Sequence, residues 1–264
     1  MSVLDPVSHA LAAVTAAAHH ALTALGAAPD AGPTWLLSIA AVVVVVRVAL
    51  LPLTVHGVRS AHAAARARPQ LRDLAKRYRG RTDTASLQRY AEERRRIGAE
   101  HGTSRLGCLP LLLQLPIWIA LYHLIGDLAD GTPVEPVDGG LVTSLGAATV
   151  LGVRLADRGY VGNGAGHLAV VAGLAATAAL LSFVNQRYLV QPNTFVADLP
   201  EAVGRVQQVM PALSAVGLLV AGAVVPVALL GYWVCNNLWT AGQSAVVYRW
   251  FPTPGTPAAA RSRR

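Results

Sequence analysis

Stretches of about twenty mostly apolar residues recur along this chain, and no other feature restricts its folding options as far. A bilayer core about 30 Å thick needs roughly 20 residues of helix. The clearest stretch runs from Trp35 to Leu53 and closes on AVVVVVRVALLPL. Comparable ones span Leu106 to Ile125, His167 to Tyr188, Val209 to Val225 and Val227 to Val247. Only 14% of the 264 residues are charged against 53% hydrophobic, whereas a soluble domain carries about 25% charged residues. The expectation is an all-α polytopic membrane protein with five transmembrane helices.

The charge that remains is unevenly placed. Residues 56–105 hold thirteen basic and five acidic side chains, a surplus equal to the +8 of the whole chain. Helix signals over Val58 to Tyr78, interrupted near Pro69, and over Asp83 to Glu100, closed by Gly102, make this segment an antiparallel helical hairpin joined by RGRTD. Residues 127–163 are instead rich in Gly, Pro and acid. Short loops with Lys and Arg stay cytoplasmic, so the hairpin and the tail 251–264 belong inside. The N-terminal segment 1–34 and loop 127–163, with seven acidic residues against two basic, belong outside. The expected organisation is therefore an outer segment 1–34, a first span 35–55, the basic hairpin 56–105, spans two to five within 106–250, and an inner tail. Among 22 basic residues only Lys76 is lysine, which suits a GC-rich bacterial genome and a bacterial plasma membrane.

In the N-terminal segment, Leu4, Val7, Leu11, Val14, Ala18, Leu22 and Leu25 recur at spacings of three and four, the pattern of an interfacial amphipathic helix. His9, His19 and His20 lack acidic or cysteine partners at ligand spacing, so a solvated face outweighs a metal cluster. Cys108 and Cys235 read as packing residues. Pro226 separates the last two apolar runs so tightly that they are expected to form an antiparallel hairpin.

Arg47 is the most informative residue. An arginine within a span costs about 2.5 to 3.5 kcal/mol on insertion scales, and is usually functional or paired. It lies about 18 Å from Trp35 and about 13 Å from His56 along a helix, in the inner half of the span. One reading is a snorkelling side chain; the other is a water-filled pocket open to the cytoplasm. Pro52, which removes the backbone bond to Val48, and Pro116, inside the second span, are expected to bend the helices beside it. Gln114, Asn185, Gln186, Asn236, Asn237 and Gln243 are polar residues of spans that either bind helices together or line a wet groove. No HExxH, GxSxG, P-loop or intramembrane carboxylate pair is present, so neither enzymatic chemistry nor a cofactor is expected.

RVALLPLT, the hairpin motif PQLRDLAKRYRG, GCLPLLLQLPIWIALY and GYWVCNNLWTAGQSAVVYRW occur in that order, and together they resemble the YidC/Oxa/Alb family of membrane protein insertases from about Trp35 to Trp250. The resemblance implies a five-span core around a hydrophilic groove, open to the cytoplasm and to lipid and closed toward the outside. It implies that Arg47 is the groove arginine, with Gln114 in the second span and the aromatic pair Tyr232 and Trp233 of the last span beside it, and Gln186 as a weaker correspondence. No large folded domain precedes the first core span and no lipobox cysteine is present, so the compact Gram-positive or actinobacterial type is expected.

The implied function is to receive nascent hydrophobic segments at the hairpin and insert them through the groove. Nascent membrane proteins and anionic lipids are the expected partners, with the ribosome and a Sec translocon as further candidates and no role for DNA. An anion channel with Arg47 as its selectivity charge would need a polar path through both leaflets, and Leu36 to Val46 offers almost none. An intramembrane hydrolase lacks residues for its chemistry.

Overall fold

A computed structural model describes residues 5–103, 109–162, 164–195 and 201–262. The chain is helical almost throughout: α1 Asp5–Ala24, α2 Gly32–Ala49, α3 Leu51–Arg77, α4 Thr84–Glu100, α5 Leu109–Ala129, α6 Gly139–Ala147, α7 Ala165–Val184, α8 Glu201–Ala221, α9 Val227–Trp250 and α10 Pro257–Ser262. A two-residue antiparallel pair, β1 Thr149–Val150 and β2 Val153–Arg154, is the only sheet among the described residues. Two helical stretches of the described chain, Gly32–Ala49 and Ala165–Asn193, are long and apolar enough to cross a membrane by length and composition.

Helix α9 is the hub of the bundle. It packs against α2, α5 and α7, and its first two turns, Val227 to Trp233, are buried without a break. Helices α8 and α9 do not form the antiparallel hairpin expected from Pro226. Each packs chiefly against α7, because the Ala-rich α7 buries Ala175, Ala178 and Ala179 and lets neighbours approach on two sides. The turn before α9 is held elsewhere: Val227 N donates to Asp157 O at 2.9 Å and Ala228 N to Leu155 O at 2.9 Å, so segment 127–163 satisfies two open N–H groups of that helix.

One end of the bundle is a cap made of α1, α6 and the β1–β2 turn. Trp35 Nε1 donates to Ser144 Oγ at 3.0 Å, Ser144 Oγ donates to Pro29 O at 2.9 Å, and His19 Nε2 meets the same carbonyl at 3.0 Å. His19 therefore departs from the solvated face read for it: it is buried and stacks on Trp35 with ring centroids 4.5 Å apart, while His9 and His20 are exposed. The buried face of α1 is Leu11, Ala12, Thr15, Ala16 and His19, rotated from the expected stripe; Ala18 is half-buried and Leu25 exposed. Small Ala12 and Ala16 allow α1 to lie directly on α2 and α5, a gain that larger apolar residues at the expected positions do not offer. Gly32 is required by the same cap, since a methyl group there would overlap the Thr149 carbonyl.

At the other end α3 and α4 form a hairpin around Ala67, Leu74 and Ile97, with Leu71, Tyr78 and Tyr90 against them. Helix α3 runs through Pro69 without the expected interruption; Pro69 is exposed, so the carbonyl it frees can be solvated while Ala67 and Leu74 hold the helix onto α4. Asp83 caps α4 by accepting from Ser86 N at 2.8 Å, and this bond holds its carboxyl below the usual carboxylate range. Tyr78 donates to Glu93 Oε1 at 2.8 Å, which raises the phenol above its ordinary value. Cys108, read as a packing residue, lies outside the described residues.

Candidate functional site

Arg47 lies in the last turn of α2 and reaches across to α9. Its Nη2 donates to Asn236 Oδ1 at 2.7 Å and to Thr240 Oγ1 at 3.0 Å. Asn236 and Thr240 stand one helical turn apart and so share a face. The Thr240 hydroxyl donates to the Asn236 carbonyl at 2.7 Å, which leaves its lone pairs for the guanidinium. Both partners are neutral, and among the described residues no carboxylate lies within ion-pair distance of Arg47. A guanidinium has five N–H donors. The two bonds described use one terminal nitrogen, so capacity for another acceptor remains.

A cavity of about 130 Å³ adjoins this side chain, room for several waters where polar partners are present. Arg47, Gln114, Tyr232 and Asn236 supply them; Val43 and Val46 of α2 and Trp118 and Leu121 of α5 form apolar walls. The cavity exists because α2 and α5 make few direct contacts. Helix α1 packs against both of them, and the cavity lies between α2, α5 and α9 at the level of Arg47. Toward the cap the cavity meets Ile39, Val42, Leu121, Leu124 and Ile125, all buried, so the polar lining does not continue in that direction. Leu115 and Trp118 of α5 line the cavity and are exposed apolar residues, as are Ile119 and Tyr122 of the same helix, while Val44, Val45 and Val48 are exposed on the face of α2 turned away from the cavity.

A family model described as "60Kd inner membrane protein" matches residues 27–254, which take in the cavity-lining residues, the hairpin and helices α2 to α9. The chain belongs to the YidC/Oxa/Alb family. It is similar to the membrane protein insertase YidC of Streptomyces avermitilis, 32% identical over 244 residues that cover 88% of this chain and 55% of the relative. It is also similar to the membrane protein insertase YidC of Tropheryma whipplei (strain Twist), 28% identical with 97% of this chain and 87% of the relative covered. That of Bifidobacterium longum is 24% identical, with 98% and 78% covered. The chain thus spans little more than half the length of the Streptomyces relative and most of the other two. The matched family is described as an inner-membrane protein, and these bacterial relatives are membrane protein insertases.

Within this YidC-family chain the residues singled out in the sequence fall into two groups. Arg47, Gln114 and Tyr232 line one cavity. Trp233 is buried in the bundle core beside it, and Gln186 donates to Ser214 Oγ of α8 at 3.0 Å, where it ties two helices and does not line the cavity. Pro52 is at the start of α3, just past the junction at Leu50, and Pro116 sits inside α5 between Gln114 and the wall residue Trp118. Thr240 went unread in the sequence, since hydroxyl residues are common in spans; its spacing of four from Asn236 was the available signal. Among the described residues no three His, Cys, Asp or Glu side chains gather as a metal site.

The hairpin carries the other candidate surface. Its internal pairs, Lys76 with Asp73 at 3.6 Å, Arg77 with Glu93 at 3.4 Å and Arg96 with Glu100 at 3.5 Å, engage only part of its arginine complement. Arg59, Arg66, Arg79, Arg89, Arg94 and Arg95 are exposed, a surface suited to phosphate groups.

Proposed function

We propose that this protein inserts hydrophobic segments of nascent membrane proteins into the bacterial plasma membrane through the groove at Arg47. One observation carries this reading: a half-buried guanidinium, held by neutral Asn236 and Thr240, faces a cavity walled off toward the cap by apolar side chains. Helices α2, α5, α7, α8 and α9 are the five spans, with the cap and N-terminus outside and the hairpin and C-terminus inside. The cap end carries the acidic segment 127–163 and the opposite end the arginine-rich hairpin, the asymmetry that the positive-inside rule requires.

The basic hairpin meets the arriving chain at the cytoplasmic face, alongside anionic lipid and, in translation-coupled insertion, the ribosome or a Sec translocon. The polar flank of the client then enters the groove, where water and Arg47 replace part of its lost hydration. An acidic flank gains most, because opposite charges attract more strongly in a low-dielectric pocket than in water. The hydrophobic part of the client leaves sideways along the exposed apolar faces of α2 and α5. No nucleotide is required, since transfer of apolar surface out of water yields about 25 cal/mol per Å².

The test is insertion of a single-span client with an acidic N-terminal flank into liposomes holding the purified protein. Arg47→Ala is expected to lower insertion at least about ten-fold, the loss of roughly 1.4 kcal/mol of charge interaction, and Arg47→Lys to retain most of it. Equal insertion by wild type and Arg47→Ala would remove Arg47 from the mechanism. Anion flux through the same liposomes would instead favour a channel.

A further inference from the structure

The C-terminal segment beyond Trp250 does not trail from the bundle. Phe251 O meets a ring nitrogen of His62, on α3, at 3.1 Å. Two residues on, Thr253 N donates to Asn193 Oδ1 at 2.7 Å. Thr256 then starts α10 with its hydroxyl bonded to Thr253 O at 2.6 Å, and Thr253, Thr256, Ala258 and Ala259 are all buried. A segment of mostly small and polar residues reaches that degree of burial only by packing on a fitted surface.

That surface comes from an irregular stretch. After Val184 the helix widens into a π turn over Asn185–Val190 and tightens into a 3-10 turn over Gln191–Asn193. This change of pitch delivers Asn193 and Phe195 to the tail. The Phe195 ring has the Arg68 guanidinium, again from α3, 3.3 Å from its centroid, within the range of a cation–π contact. Gly255 passes against the same ring, with a φ of +77° that suits glycine and a would-be Cβ 3.5 Å from the ring. Burial, and secondly the nearby Arg72 guanidinium, hold Arg68 below the ordinary arginine value, consistent with a packed cation.

We propose that the tail from Phe251 to Ser262 is a strap: with the segment 185–195 it ties the foot of hairpin arm α3 to the bundle and restrains the swing of the hairpin. The consequence reaches the groove, because α3 follows α2 after the single residue Leu50, and Arg47 lies three residues before that junction. A strapped α3 keeps the mouth of the groove in one geometry; a released α3 lets the basic hairpin move relative to it. The inference rests on contacts at the hairpin foot and stands whether or not Arg47 handles clients.

Hydrogen exchange read by mass spectrometry on the full chain in lipid nanodiscs tests it. In Asn193→Ala/Phe195→Ala, amides of Val58 to Arg72 and of Thr253 to Arg261 are expected to exchange about ten-fold faster, the loss of one hydrogen bond and one ring contact. Those of Ala165 to Val184 keep their protection. Asn193→Asp, which retains the acceptor, is expected to exchange like wild type. A loosened tail with unchanged α3, or a tail already unprotected in the wild type, would overturn the strap. A second arm avoids any damage to folding: Asn193→Cys/Thr253→Cys should form a disulfide under mild oxidation and slow exchange in Val58 to Arg72 below the wild-type rate. Failure of that crosslink to form, or its formation with no effect on α3, would equally contradict the proposal.

Discussion

Arg47 owes its position to two neutral acceptors on α9. A charged donor bonded to neutral oxygens gains hydrogen-bond energy without cancelling its charge, and a site meant to attract an acidic group needs that charge intact. Double-mutant cycles between polar side chains inside membranes average about 0.6 kcal/mol, and a charged partner raises the value. We therefore predict that Arg47→Ala and Asn236→Ala couple by about 1 kcal/mol in a double-mutant cycle of unfolding in detergent; coupling indistinguishable from zero would mean that the 2.7 Å contact holds nothing in place. At this scale the sequence was informative where a residue type broke its surroundings. A lone arginine in a run of valines and a glutamine in an apolar span could be read directly, the aromatic pair came only with the family resemblance, and Arg47, Gln114 and Tyr232 share one cavity. Gln186 and Thr240 could not be sorted that way, because a polar side chain in a span looks the same whether it faces a cavity or a neighbouring helix.

Among the elements, local rules were readable and packing partners were not. The Asp83 cap is a local rule, and it makes a prediction in pH. Its carboxyl is held below the usual carboxylate range by the Ser86 N–H, so the cap contributes stability above the unfolded-state value and loses it as pH falls through the folded-state one. Exchange of the Ser86 amide, measured by NMR and corrected for intrinsic rates, should stay slow through pH 4 to 5 and rise only in stronger acid. In Asp83→Ala the protection should be absent at every pH, and wild-type protection lost already within the ordinary carboxylate range would contradict the cap. The α1 stripe and the pairing of α8 with α9 show the limit. Periodicity places apolar residues on a helix, but close approach is decided by small ones, and Ala12, Ala16, Ala175 and Ala178 carry little weight in a hydropathy pattern. The continuous course of α3 through Pro69 likewise depends on α4, which begins fifteen residues further along the sequence.

Taken whole, the molecule has two unlike ends joined by a helical bundle. At the capped end α1 packs against α2 and α5, and buried apolar side chains continue down to the cavity; at the other, the hairpin and tail leave arginines exposed. An all-helical chain of this family was legible from the order of its motifs, whereas the folded-back tail was not, since its contacts run to positions about 60 and 190 residues away. The division of labour between groove and lipid face is tested most directly by site-specific photocrosslinking to a stalled nascent chain in cells, with the probe placed singly at Val46, Trp118 or Leu180. The account predicts adducts from Val46 and Trp118, which border the cavity, and none from Leu180, exposed on α7. Adducts from Leu180 alone, or equal yields from all three positions, would contradict insertion through the Arg47 groove.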